Sequence, residues 1–330
     1  MTIPIQPLFG AAQLHNLGDL LAPENVDTLW RPVGRMATGF DPLDTVLEGG
    51  IQTEELIVVG GLPGIGKTIS LVQWTRTMAK AGITCAVASY EHRELALLCQ
   101  LLLLELGELP GDQDQADLAT ARRFVAEIAG SHARWSELVG HNPLLSEAAS
   151  QLQRYAGRIQ SISSTSLKGG LAALEAAVTT DHGIEMLVVD HLQKVPADRV
   201  DTAGEIAAAL KRLAVENEIA ILAAAPIGDA GLQTRRLRLE HLRNAAAVSH
   251  EADVVIILND KLSAVSRAHS TFDSVRAGTF KKQTIFSIEK NRRGAAGVDL
   301  EFQRDFLHRR FDPQGRYVSD ALVDGVMIRD

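Results

Sequence analysis

Cysteine is almost missing from this chain: Cys85 and Cys99 are the only two. They make no Cys-x-x-Cys pair and stand near no histidine cluster, which excludes a disulfide framework and a zinc site and points to a reducing, cytoplasmic setting. An excess of basic charge is missing too. Lys and Arg number 33 against 41 Asp and Glu, a formal net charge of −8, which excludes a generally basic coat for nucleic acid. Long apolar runs are also absent. The greasiest stretch, Leu95–Leu106, is broken by Gln100 and Glu105 and is too short for a bilayer, so it is expected as a buried helix, with no membrane partner. The opening MTIPIQPLFG carries no basic segment ahead of an apolar one, so no secretory signal is expected. Nor is there an internal repeat or a low-complexity tract. What remains, 330 residues of which 46% are hydrophobic and 22% charged, is enough to bury a large core unaided.

Residues 1–35 carry Pro4, Pro7, Pro23 and Pro32 around one amphipathic stretch, Ala12–Leu21, with Leu14, Leu17, Leu20 and Leu21 at helical spacing. This predicts an arm whose short helix docks on its own core or on a neighbouring subunit, because so short a helix is marginal alone. From residue 36 the core begins, and apolar runs alternate with amphipathic ones. Strands are predicted at Leu56–Gly60, Thr84–Ser89, Met186–Asp190, Ala220–Ala225 and Val254–Leu258. Helices are predicted at Lys67–Lys80, Arg93–Leu106, Ala116–Ala129, Glu147–Ala156, Leu167–Thr179 and Ala203–Glu216. Strands apolar on both faces, set between helices, imply an α/β fold with a mostly parallel central sheet flanked by helices. After Thr279 the period falls to two, and residues 284–288, 298–302 and 307–311 predict antiparallel strands at the C-terminal edge of the sheet. Residues 107–150 predict an inserted helical subdomain, and 312–330 a C-terminal tail.

The strongest local signal is Gly61-Leu62-Pro63-Gly64-Ile65-Gly66-Lys67-Thr68, a full G-x-x-x-x-G-K-[ST] phosphate loop between a predicted strand and a predicted helix. Its glycines let the backbone from Gly61 through Pro63, Gly64, Ile65 and Gly66 to Ile69 wrap the phosphates of a nucleotide. Lys67 then neutralises the β and γ phosphates, and the Thr68 hydroxyl holds Mg²⁺. ATP and Mg²⁺ are the expected cofactors. Hydrolysis also needs a second carboxylate for the metal and a base to orient water. Asp190 ends the apolar run Met186–Asp190 at the carboxyl edge of the sheet and is the metal candidate. Glu91 is the candidate base; it lies just past the strand Thr84–Ser89, which is expected to neighbour the phosphate-loop strand. Asp253 touches an apolar strand at its amino end and is expected to face away from the ligand.

These residues carry a resemblance. Thr38-Gly39-Phe40-Asp41-Pro42-Leu43-Asp44, leading through Gly49-Gly50 to the phosphate loop, resembles the entry to the RecA-like ATPase core of DnaB-type replicative helicases, and also of the KaiC and RadA groups. Ser89-Tyr90-Glu91-His92 resembles the SLEM segment of the DnaB-type helicases, and Val189-Asp190-His191-Leu192-Gln193 is similar to their VDYLQ. The run from His241 to Val255 resembles DLRESGAIEQDADVV without a gap, and Lys290-Asn291-Arg292-Arg293-Gly294 followed by Gly297 resembles KNRNGPTG. The match covers roughly residues 36–312 and is poorest between Leu106 and Leu167.

The resemblance implies a RecA-like P-loop NTPase with Glu91 as catalytic base and Asp190 holding Mg²⁺ through water. It implies that Lys290 and Arg292 are catalytic fingers reaching into the neighbouring subunit of a ring, expected to be a homohexamer. It also implies single-stranded DNA as a partner, held in the segment of Arg243, Asn244 and Ala246; the basic loop just ahead, with Arg235, Arg236 and Arg238, reads either as a further lining of that channel or as a solvated loop. Two departures bear on this. Where the family has SQL, whose Gln senses the γ phosphate, this chain has Ala225-Pro226-Ile227, and proline offers neither an N–H nor a polar side chain. In the RESG segment, Asn244 and Ala246 replace the Glu and the Gly, which puts the glycine-permitted conformation in question.

Two functions are therefore expected in competition. One is a ring-forming ATP hydrolase, helicase-like, acting on single-stranded DNA in replication. The other is a KaiC- or RadA-like ATPase whose ATP-dependent assembly recruits a protein partner through the arm or residues 107–150. A scaffold without turnover is disfavoured, because a dead site has no need of both base and fingers.

Overall fold

The structure, a computed structural model, describes residue 18 and, from residue 34 onward, all but 112, 131, 181–182, 197–202, 266–273, 320–321 and 323–330. Two compact units divide the chain, Met1–Gly34 and Arg35–Asp330. The expected arm helix, Gly18 apart, falls outside the described residues. In the second unit a small antiparallel pair, β1 (Arg35–Met36) and β2 (Ile51–Gln52), brackets α1 (Asp41–Val46). The chain then runs through β3 (Leu56–Gly61), α2 (Lys67–Lys80), β4 (Cys85–Ser89), α3 (Glu94–Glu108), α4 (Gln115–Ala129), α5 (Pro143–Gln153) and β5 (Ile159–Ser161). It continues through α6 (Gly170–Thr179), β6 (Met186–Asp190), α7 (Ala203–Glu216), β7 (Ala220–Pro226), α8 (Ala245–Glu251) and β8 (Val254–Asp260). β9 (Gln283–Asn291), β10 (Val298–Asp305), β11 (Arg310–Phe311) and β12 (Arg316–Tyr317) follow.

The strands β5, β4, β6, β7, β3 and β8 pair in parallel in that order. β9, β10 and β11 continue the sheet antiparallel beyond β8, and β12 pairs with β10. Alternation along each strand feeds two cores: Ile57 and Val59 of β3 enter one, Leu56 and Val58 the other. Every residue of β3 and β6 is buried, which is what cover on both faces demands. The antiparallel edge is fastened to the first core by aromatic rings. Phe302 lies 4.9 Å from Phe40, and Phe286 lies 6.4 Å from Trp74 of α2, centroid to centroid, contacts worth about 1 kcal/mol each beyond burial.

The greasy run Leu95–Leu106 is helical; Leu95 is exposed, and the burial of the rest has two sources. Leu97 and Leu101 of α3 face the first core, while Cys99, Leu102 and Leu106 face a separate cluster with Ala121, Val125, Leu145 and Ala148 of the inserted helices. A helix packed on both sides has no polar face to show. Both cysteines are buried and free. Among the described residues no helix is long and apolar enough to cross a membrane.

Several expectations are corrected. The strand at 307–311 shrinks to Arg310–Phe311, because Phe306–His308 forms a 3-10 turn, His308 Nδ1 meets Asp305 Oδ2 at 2.8 Å, and Arg309 is left-handed at φ 52°. The helix expected at Glu147–Ala156 is Pro143–Gln153, started by the Asn142 side chain accepting from the Leu145 amide with Pro143 in the first turn. The stretch expected as a tail after 312 contributes β12. The three-residue β5 has too little pattern to be read from sequence. β4 does not neighbour β3; β6 and β7 lie between them.

Candidate active site

The phosphate loop leaves the carboxyl end of β3 and closes on Gly66, which caps α2 in a left-handed conformation at φ 112°. A Cβ there would stand 2.5 Å from Cζ of Phe311, so both the turn and the packing require glycine. The first helical bond of α2 is Ser70 N to the Gly66 carbonyl at 2.8 Å. The amides of the first turn ahead of it therefore have no helical acceptor and are disposed toward an anion. Lys67 folds back over the loop, its Nζ donating to the carbonyls of Gly61 at 2.8 Å and Leu62 at 3.0 Å. Burial pushes its ammonium pKa down, against the opposing pull of Asp190 and Glu91.

Thr68 Oγ1 donates to Asp190 Oδ2 at 2.8 Å. These two oxygens, from the start of α2 and the end of β6, are a hard donor set of the kind that holds Mg²⁺ beside phosphates. Asp190 is 5% exposed, and burial raises its carboxyl above the usual carboxylate range. A bound cation removes that penalty, so the residues fit Mg²⁺.

Glu91 arrives by register. The Tyr90 amide bonds the Asp190 carbonyl at 2.8 Å, prolonging the β4–β6 ladder by one step and leaving Glu91 at the mouth of the cleft. Its Oε1 accepts from Lys194 Nζ at 2.8 Å and lies 3.1 Å from His191 Nε2. The hydrogen bond from Lys194 is the main reason its carboxyl titrates below the ordinary value. Pro63, Gly64, Gly66, Lys67, Thr68, Ile69, Glu91 and Asp190 thus line one cleft of about 310 Å³. Gly61 serves it through its carbonyl, whereas Ile65 turns its side chain into the first core.

Sequence reasoning missed two parts of this site. His191, next to Asp190, lines the cleft, and Lys194, four residues on, reaches it only through Glu91; both were legible only as neighbours of a site residue. Phe306 and Arg309 also line the cleft, from the turn between β10 and β11, and nothing in their spacing announces it. Pro226, which the resemblance aligns with the γ-phosphate sensor, does line the cleft, at the end of β7.

Lys290 and Arg292 stand elsewhere. Lys290 pairs with Val255 at the amino end of β8, and the Arg292 amide bonds the Asp253 carbonyl just before that strand. The phosphate loop follows the carboxyl end of the adjacent β3, so these cations lie at the opposite edge of the sheet from their own cleft. Asp253 is at the amino end of β8 as expected, bonded to the Leu56 amide, Lys211 and Arg292.

The basic loop is corrected most. Arg235 donates to the carbonyls of Ser263 and Val265, Arg236 is 7% exposed and paired to Asp299 at 2.7 Å, and Arg238 is paired to Glu289 at 3.0 Å. All three are engaged with their own chain: Arg236 and Arg238 fasten the loop to the β9–β10 edge, and Arg235 fastens it to the segment that follows β8. Arg243, Asn244 and Ala246 are exposed. The left-handed residue of this segment is Asn244, at φ 59°, while Ala246 is helical. Asparagine tolerates that conformation, so position 246 needs no glycine here.

Residues 35–312 match the model of the DnaB-like helicase C terminal domain. The replicative DNA helicase DnaB of Geobacillus stearothermophilus is 24% identical over 319 residues, spanning 90% of this chain and 63% of that protein. The DnaB of Treponema pallidum is 26% identical over 278 residues, 82% of this chain and 55% of that protein. The chain thus spans about three-fifths of the length of these relatives. A solved ATPase domain superposes with a TM-score of 0.66 at 17% identity, over 91% of this chain and 99% of that one. A DnaB-like replicative helicase solved with its interactions with primase gives 0.65 at 16% identity, over 91% and 67%. From residue 35 to 312, this chain belongs to the family of DnaB-like helicase C-terminal domains.

Proposed function

We propose that the protein is a ring-forming ATP hydrolase of the DnaB-like family, a homohexamer acting on single-stranded DNA, with each active site completed across a subunit interface. The observation that carries this reading is a division of the catalytic set. Lys67, Thr68, Asp190 and Glu91 share one cleft, while Lys290 and Arg292 lie at the other edge of the sheet. A neighbour's cleft is the place for such cations, where positive charge at the γ phosphate is worth orders of magnitude in rate.

In this reading Gly64, Gly66 and the amides opening α2 grip the phosphates, and Lys67 leaves its two carbonyls for the β and γ oxygens. Thr68 and Asp190 would hold Mg²⁺, which would supply neutralisation of the charge developing on the transferred group. Glu91 orients water and takes its proton. The flat ring of Phe306 and the guanidinium of Arg309 offer the nucleoside a stacking surface. Arg243 and the Asn244 turn hold the DNA backbone, which a net charge of −8 does not prevent, since affinity follows local phosphate contacts.

The second reading, a RadA- or KaiC-like ATPase that assembles with ATP to recruit a protein through the arm or residues 107–150, gains from one observation. With Arg235, Arg236 and Arg238 spent internally, fewer cations remain for DNA. ATP turnover measured with and without oligo-dT across a salt series, beside mass photometry, separates the two. The first expects turnover stimulated by oligo-dT and weakened by salt; ATP-dependent assembly with turnover indifferent to DNA selects the second.

A further inference from the structure

The two fingers are not idle in their own chain, and one small element holds both. Lys290 Nζ donates to the carbonyls of Ser249 at 2.6 Å and Ala252 at 2.5 Å. Arg292 donates to the carbonyl of His250 at 2.6 Å and to Asp253 Oδ1 at 3.0 Å. Ser249 and His250 belong to the last turn of α8, and Ala252 caps it. These are the carbonyls a helix leaves without internal partners, and basic side chains are well suited to satisfy them. α8 has seven residues, of which Val248 alone is buried. Val248 and the cap residue Ala252 pack it into the second core, but so short a helix is marginal by itself, and the side chains on its last carbonyls add to what holds its end. Its other end is the exposed Arg243–Ala246 segment.

Departure of Arg292 is cheap by construction. Its pair with Asp253 is half-exposed on the arginine side, at 46%, and exposed pairs contribute little. The Asp253 carboxylate, by contrast, is buried but is not abandoned, because Lys211 Nζ and the Leu56 amide both remain on Oδ2 at 2.8 Å.

We propose that Lys290 and Arg292 have a second role, as positioning residues for the nucleic-acid segment. Within their own chain they pin the last turn of α8 and so hold Arg243–Ala246; in reaching a neighbour's nucleotide they let that turn go. This rests on the fingers acting across an interface. A cation cannot occupy both places, so the neighbour's nucleotide state and this subunit's grip on DNA are linked, reciprocally, by a route that bypasses position 226.

Hydrogen–deuterium exchange of the full chain tests this on peptides covering 244–253, with mass photometry on the same samples. Without nucleotide, Lys290→Met and Arg292→Met should each speed exchange of α8 at least about tenfold, with β3 and β8 unchanged, and Lys290→Arg should restore protection. In the wild-type chain, a slowly hydrolysed ATP analogue with Mg²⁺ should drive assembly and speed α8 exchange by a similar factor, and Lys67→Ala should show neither effect. Unchanged α8 exchange in both methionine variants overturns the proposal, as does protection that rises on assembly. If nucleotide drives no assembly, the ring reading fails and takes the release step with it, while the pinning step still stands or falls on the methionine variants.

Discussion

The carbonyl of Pro226, which lines the nucleotide cleft, accepts the amide of Arg243 at 3.1 Å. The Gly228 amide bonds the His241 carbonyl at 2.8 Å beside it, and Ile227 bridges to Leu242. The end of β7 and the proposed DNA segment are therefore hydrogen-bonded to each other, but proline offers no polar side chain at 226 to read the γ phosphate.

Pro226→Gln should supply that reading. β6 pairs with β7 only as far as Ala223, and Pro226 opposite Gly61 is the last register pair of β7 with β3, so the restored N–H falls at the end of the ladder and the fold should hold. Stimulation of ATP turnover by oligo-dT should rise about fivefold, the scale of an ordinary coupling between sites. Equal stimulation in the two proteins would show that position 226 carries no coupling.

Lys67→Ala and Asp190→Asn should each lower turnover by at least about 100-fold. Neither should unfold the chain. Burial already disfavours the ammonium of Lys67 and the ionised form of Asp190, so a neutral replacement should leave the melting temperature unchanged or raise it. A large fall in melting temperature would mean these groups serve the fold more than the nucleotide.

Glu91→Gln should abolish turnover while leaving nucleotide binding intact, as loss of a base does. Lys194 lowers the pKa of Glu91 by favouring its ionised form. Lys194→Met removes that support, the carboxyl then titrates higher, and the acid limb of kcat should move toward neutral pH. A pH profile that does not move would exclude Lys194 from holding the base.

Glu105 joins α3 to α2 through Arg76, whose Nε and Nη2 donate at 2.6 and 3.0 Å, and it also accepts from Tyr155 Oη at 2.7 Å. Burial alone would raise its carboxyl pKa, but the bonds from Arg76 and Tyr155 prevail and hold it below the ordinary 4.5. A carboxyl depressed in the folded state stabilises it above the unfolded pKa and loses that contribution as pH falls through the folded one. Glu105→Gln should cost about 3 kcal/mol at pH 7 by stranding Arg76. Urea midpoints of the two proteins should converge as pH is lowered below 4.5, and a gap independent of pH would place the cost in packing instead.

Local pattern was enough for the parts of this protein that depend on local physics. The phosphate loop, the helix Lys67–Lys80 and the strand Met186–Asp190 were legible with their boundaries, because each is set by glycine placement, helical spacing or a doubly buried apolar run. So were the family's motifs and the span they cover. What the sequence could not decide were pairings between distant segments. That β6 and β7 separate β4 from β3, that Phe306 and Arg309 lie over the cleft, and that Arg236 meets Asp299 are consequences of sheet order. An arginine in a basic loop reads the same whether it faces a channel or a carboxylate 63 positions away. Only the fold supplies the partner, because burial of the guanidinium is tolerated once Asp299 stands beside it and not before.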